Sequence, residues 1–318
     1  MRPIFTAALS LLAAAPLGAQ SAALSSPDGT LLRRIVYPLP PFNRLAPAQA
    51  KELSRYCTRA EYDSARADRA FALEKLSYAS DGLRVVAYWY APAGAPAGRR
   101  PLVIYNRGSW VAGDQAPVLA PLLRRLARAG FVVLAPQYRG SDGGEGRDEM
   151  GGADVADVLN LLPLAARLPS ADTSRIFMYG ESRGGMMTMQ AIRRGMPLLA
   201  AATVGAFSDF EATIAADERS RAAAPTIWPD FDSRREQIAE SRSAIRWAET
   251  LDVPLLILHG GVDEAISPAQ PLALAARLQS LGRPYELHIF AGGTHTLGER
   301  SRIRDSLVIG WFRDHLPE

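Results

Sequence analysis

A chain of 318 residues with 48% hydrophobic and 22% charged residues has apolar material for a large buried core, which excludes a disordered or low-complexity protein. The net charge is +3, yet Lys51 and Lys75 are the only lysines, and the other 34 of the 36 basic residues are arginines interleaved with acids along the chain. With no basic block or stripe, no nucleic-acid partner is expected.

Residues 1–19 read as a signal peptide: Arg2 supplies the positive end, IFTAALSLLAAAPLG the apolar stretch and Ala19 the cleavage position. That stretch is shorter than the about 20 apolar residues of a membrane span, so no stable membrane insertion is expected after cleavage. Residues 20–72 are expected to form an N-terminal linker and helical segment, extended through YPLPPFNRLAP (37–47) and helical over 48–72. Cys57 is the one cysteine, which rules out an intrachain disulfide and a cysteine metal cluster. Export without disulfides points to a secreted or periplasmic protein of the bacterial envelope.

From residue 73 the pattern becomes regular. LEKLSYAS and LRVVAYWYAP flank Asp81-Gly82, a strong hairpin signal. Apolar runs follow at 101–106, 131–138, 175–180, 201–207, 254–260 and 285–290. Amphipathic stretches at 117–129, 153–168, 183–195, 268–281 and 300–315 alternate with them. Strands apolar on both faces, alternating with helices, predict a mostly parallel central sheet with helices on both faces, entered through an antiparallel N-terminal hairpin. The longer interval near 208–250 predicts a helical insertion.

Gly180-Glu181-Ser182-Arg183-Gly184 ends one apolar run and opens an amphipathic stretch. That strand-to-helix setting is what a nucleophile elbow requires, with small residues flanking a sharp turn. A serine hydroxyl needs a base within hydrogen-bond reach. Of the four histidines, His259 ends a strand, His288 lies inside one and His315 sits at the end of the last helix. His295, in AGGTHTLGER after the last strand, is the candidate base, because parallel strands deliver their following loops to one edge of the sheet. The loop after the preceding strand, LHGGVDEAISPAQ, offers Asp263 as the acid that orients the imidazole, with Glu264 as the alternative. The order Ser182, Asp263, His295 is that of the α/β-hydrolase fold. For the oxyanion, the Arg183 N–H is the first expected donor. The second is expected from YNRGSW: the Asn106 side chain, or the backbone N–H of Arg107 or Gly108, with Tyr105 as the alternative if the register shifts by one. Arg107 and Tyr105 are pocket candidates. Arg183 and Arg107 border the site, where one of them meets a substrate carboxylate or carbonyl, or Arg183 closes a salt bridge with Glu181, Asp154 or another acid.

From about residue 76 to the end, the chain resembles the catalytic domain of the prolyl oligopeptidase family. The resemblance is carried by YRGSDGGEG (138–146), DVADVLNLL (154–162), GESRGG, ILHGGVDEAISPAQ and YELHIFAGGTHTLGER. It implies a catalytic domain over 73–318 and a serine hydrolase that cleaves peptide bonds through an acyl-enzyme, with no cofactor or metal. Substrates would be peptides or small esters, and a carboxylesterase with the same triad is the alternative. Two departures stand out. The family's peptidases usually carry a β-propeller that screens substrates, and the about 50 residues between leader and catalytic domain do not hold one. They also often place tyrosines where Asn106 and Arg183 stand, so proline-specific cleavage is not implied.

Overall fold

The computed structural model describes residues 24–94, 97–108, 113–216 and 218–318, so the expected leader lies outside the described residues. Nine strands form one sheet: β1 (Leu31–Val36), β2 (Phe71–Ser80), β3 (Leu83–Pro92), β4 (Arg100–Asn106), β5 (Val132–Pro136), β6 (Ala171–Glu181), β7 (Ala200–Val204), β8 (Leu255–Gly260) and β9 (Tyr285–Phe290). Their spatial order is β1-β2-β3-β5-β4-β6-β7-β8-β9. β1, β2, β3 and β5 pair antiparallel in succession, and every pair from β5/β4 to β8/β9 is parallel. The β2–β3 turn is the expected one, with both Asp81 (φ 51°) and Gly82 (φ 73°) in the left-handed region that a two-residue hairpin loop demands.

Period-two alternation along the central strands divides the core into two layers. Leu102, Ile104, Met178 and Ile257 face one layer, where they meet the helices Arg183–Arg193 and Ala269–Ser280. Val103, Tyr105, Phe177, Tyr179 and Leu256 face the other, under the helices Ala116–Arg128 and Ser301–Asp314. Burial on both faces is why these strands are apolar throughout. The insertion after β7 is helical, as Phe210–Ala216, Glu218–Ile227 and Phe231–Arg242, and Phe210, Trp228 and Phe231 bury its aromatic side against the first layer. No helix among the described residues is long and apolar enough to cross a membrane.

The N-terminal segment is more than a connection. LLRRIV forms edge strand β1, whose Arg34 reaches Glu74 of β2 at 2.8 Å. It escapes a reading by periodicity because almost all of it is exposed, with charges guarding the free edge. Helices Pro47–Leu53 and Arg59–Ala67 pack on Ala116–Arg128, the second starting from a Thr58–Glu61 capping box. Gln49 donates to the carbonyl of Asp114 at 2.8 Å, the Tyr37 hydroxyl bonds the Asp114 carboxylate, and Tyr88 of β3 reaches Asp114 Oδ1 at 2.7 Å. These contacts fasten the far end of the loop that leaves β4.

Candidate active site

β6 runs into Ser182 and the helix Arg183–Arg193 starts on the next residue. Ser182 itself is strained, at φ 53° and ψ −121°, a conformation that a side chain occupies only when its surroundings impose it. Its N–H is held by the Val204 carbonyl at 2.7 Å and its carbonyl by the Gly185 N–H at 2.9 Å. The flanking glycines are required by close approach. A Cβ on Gly180 would lie 2.2 Å from the Gly184 carbonyl oxygen, and one on Gly184 would lie 1.9 Å from that of Asn106. Both obstacles are backbone and cannot swing aside. Gly184→Ala is therefore expected to cost on the order of 4 kcal/mol or more, which thermal unfolding of the variant will show as a large fall in Tm.

The loops after β8 and β9 bring their residues to this turn. His295 Nε2 lies 3.0 Å from Ser182 Oγ, and His295 Nδ1 lies 2.8 Å from Asp263 Oδ2. Asp263 Oδ1 accepts from the N–H groups of Ala265 and Ile266 at 2.8 and 2.9 Å, so both carboxylate oxygens are oriented. Burial pushes the Asp263 carboxyl up. Bonds from His259 and His295, with the Ile266 N–H, outweigh this and hold it well below the usual carboxylate range. Gly205, at φ 56° after β7, lies beneath the imidazole, where a Cβ would come within 3.2 Å of His295 Nδ1. Glu264, the alternative acid, is exposed and Asp263 takes the position. His259 is a participant that the sequence reading passed over. It is fully buried, with Nε2 2.9 Å from the Ile266 carbonyl and 3.2 Å from Asp263 Oδ2. A signal existed in the sequence, since a histidine four residues before the acid bridges the same turn. His288 pairs with Glu286 at 2.5 Å and His315 Nδ1 meets the Trp311 carbonyl at 2.8 Å, neither of them at Ser182.

The expectations for the loop after β4 need correction. The Asn106 amide is fully buried and donates to Thr188 Oγ1 at 3.0 Å, so it faces the helix after Ser182 instead of the reaction edge. Tyr105 points into the opposite layer, its ring edge-on to Tyr179 at 5.3 Å. The cause is the pleat: successive side chains at the end of β4 enter the two covered faces of the sheet. The Arg107 guanidinium is buried as well, donating to the Gln137 carbonyl at 2.8 Å and to Ser141 Oγ at 3.2 Å. Arg183 is only 1% exposed and takes both oxygens of Asp148 and one of Asp154, each at 2.6 Å. The salt bridge thus prevails over substrate contact for this side chain. The two guanidinium groups lie over the Tyr138 ring, at 5.1 Å for Arg107 and 4.3 Å for Arg183. What the loop does bring to the serine is Gly108, where a Cβ would sit 3.2 Å from Ser182 Cβ.

Residues 121–318 match the model of the prolyl oligopeptidase family. The chain belongs to that family. It is a serine hydrolase, a serine peptidase of the prolyl oligopeptidase type. The uncharacterized peptidase YtmA of Bacillus subtilis is 29% identical over 224 residues, 70% of this chain and 86% of YtmA. Dipeptidyl-peptidase 5 of Porphyromonas gingivalis is 28% identical over 54% of this chain, but the chain spans only 27% of that protein's length. Among solved structures, the acylaminoacyl peptidase of Pyrococcus horikoshii superposes with a TM-score of 0.65 at 21% identity, over 78% of this chain and 42% of that one. A Pyrococcus furiosus esterase does so with a TM-score of 0.63 at 15% identity, over 82% of this chain and 95% of the esterase. At these identities the superpositions speak for the α/β-hydrolase fold.

In this member of the prolyl oligopeptidase family a buried ionic network lies behind the serine turn. Glu181 is 4% exposed, with Oε1 2.9 Å from Arg304 Nη1 in an ion pair. Arg304, 1% exposed, also donates from Nη1 to the Thr296 carbonyl at 2.8 Å and from Nε to Asp305 Oδ1 at 2.8 Å. Asp305 Oδ2 accepts from Arg125 Nε at 2.6 Å. Burial pushes the Glu181 carboxyl up, against the pull of Arg304.

Proposed function

We propose that Ser182 is the nucleophile, His295 the general base and Asp263 the orienting acid of a peptide-bond hydrolase working through an acyl-enzyme. The continuous chain Ser182 Oγ–His295–Asp263, at 3.0 and 2.8 Å, carries the proposal. Nε2 takes the hydroxyl proton as Oγ bonds to the carbonyl carbon, then gives it to the departing amine as the C–N bond breaks. Water entering the emptied site repeats the sequence, passing a proton to Nε2 while its oxygen displaces Ser182 from the acyl group. Asp263 keeps the Nδ1 proton in place and stabilises the transient imidazolium.

The Arg183 N–H is the first oxyanion donor in this reading, and the Gly108 N–H replaces the Asn106 side chain as the second. Two observations support Gly108: it abuts Ser182, and the Tyr138 hydroxyl donates to the Arg107 carbonyl at 3.0 Å. In a trans peptide the N–H points opposite to the C=O, so fixing the Arg107 carbonyl fixes the direction of the Gly108 N–H. A well-aimed donor contributes about 2.7–4 kcal/mol to the transition state.

The relatives favour amide over ester substrates, because the family match and the sequence relatives are peptidases, whereas the esterase likeness is one of fold. Aminoacyl and peptidyl p-nitroanilides assayed beside p-nitrophenyl esters of the same acyl groups test this. The amides are expected to turn over with rates that depend on the acyl residue. Hydrolysis confined to the esters would transfer the assignment to a carboxylesterase.

A further inference from the structure

We propose that Arg304 is a positioning residue that holds Ser182 and His295 at reacting distance, an inference that rests on the catalytic roles assigned above. Its guanidinium touches both catalytic turns: Nη1 pairs with the carboxylate of Glu181, the residue before Ser182, at 2.9 Å and donates to the carbonyl of Thr296, the residue after His295, at 2.8 Å.

Both turns are strained. Ser182 sits at φ 53°, and Thr296 and Leu297 follow His295 at φ 60° and 55°, where a β-branched residue is an outlier. Such backbone persists only when surrounding contacts over-determine it. Arg304 supplies those contacts from a fixed base, since Nε is held by Asp305 and Asp305 by Arg125 of the helix Ala116–Arg128. The planar guanidinium fixes these directions together, Nε towards Asp305 and Nη1 towards Glu181 and the Thr296 carbonyl, and a single ammonium nitrogen reproduces them only in part. Formal charges balance across Glu181, Arg304, Asp305 and Arg125. An apolar pair replacing a buried ion pair is often as stable as the original, so stability alone does not explain the presence of Glu181 and Arg304.

The test compares Arg304→Met, Arg304→Lys and the double variant Glu181→Leu/Arg304→Met. It uses kcat and KM on a turned-over substrate, the rate of reaction with a fluorophosphonate, and Tm. Arg304→Met is expected to lower kcat on the order of 100-fold with KM little changed, as a displacement near 1 Å at the reacting atoms does. Arg304→Lys falls between Arg304→Met and wild type. The double variant removes both charges together, so its Tm recovers towards that of the wild type while kcat and the fluorophosphonate rate stay low. Recovery of kcat along with Tm in the double variant would reduce Arg304 to a structural role and overturn the proposal. A wild-type protein that does not react with the fluorophosphonate at Ser182 would instead remove the catalytic assignment, and this inference with it.

Discussion

Ser182→Ala is expected to abolish hydrolysis while leaving the fold intact. Removing the nucleophile of a serine triad costs on the order of 10⁶ in kcat, and what survives comes from binding and the oxyanion donors alone. The fold should hold because the hydroxyl makes one bond here, to His295 Nε2, and the partly exposed imidazole can turn to water instead. The contacts that shape the turn are backbone ones, to Val204 and Gly185, and alanine keeps them. Circular dichroism and Tm should match the wild type, with turnover at background. His295→Ala should lose about as much, and the double variant no more, because the two groups act as a unit. A single variant that keeps a tenth of the wild-type rate would contradict the assignment.

Asp263→Asn has the second-largest expected effect, on the order of 10⁴ in kcat. The reasoning follows from its bonds. Oδ1 faces two N–H donors, from Ala265 and Ile266, so the asparagine oxygen must stay there. The new amide NH₂ then faces His295 Nδ1, which must accept. The imidazole proton moves to Nε2, and Nε2 can no longer take the proton of Ser182. The same substitution changes the response to acid. The wild-type carboxyl is held below its ordinary value, so its contribution to stability is present above about pH 4, the unfolded value, and is lost as pH falls through the folded one. Asp263→Asn should melt lower at neutral pH and lose less stability on acidification. Because Asp263 stays ionised well into acid, its own protonation should not limit wild-type activity at mildly acid pH. Melting curves across pH, read beside kcat/KM, check both statements.

The central sheet was legible because its strands are buried on both faces, and a covered parallel strand accounts for the continuous apolar runs in PLVIYN and PLLILHG. The three catalytic candidates were legible for a related reason: each follows a strand of one parallel sheet, and such a sheet turns all those loops to one edge. What failed depended on side-chain direction or on distant partners. Asn106 and Tyr105 stand next to each other at a strand end, and a single pleat sends them to opposite layers, far from the expected oxyanion role. Arg183 sits beside the nucleophile in sequence, but Asp148 and Asp154, 35 and 29 residues away, decide where its charge goes. Strand β1 carried no alternation to read, being an exposed edge. Arg304 was invisible as a functional candidate, since one arginine among 34 is distinguished only by what surrounds it.

The measurement that bears most directly on the catalytic site is the mapping of a fluorophosphonate adduct by mass spectrometry. One adduct per chain is expected, carried by the peptide that contains Ser182, absent from Ser182→Ala and formed far more slowly by His295→Ala. An adduct on any other residue of the active protein, or an adduct rate indifferent to loss of the His295 imidazole, would contradict this account.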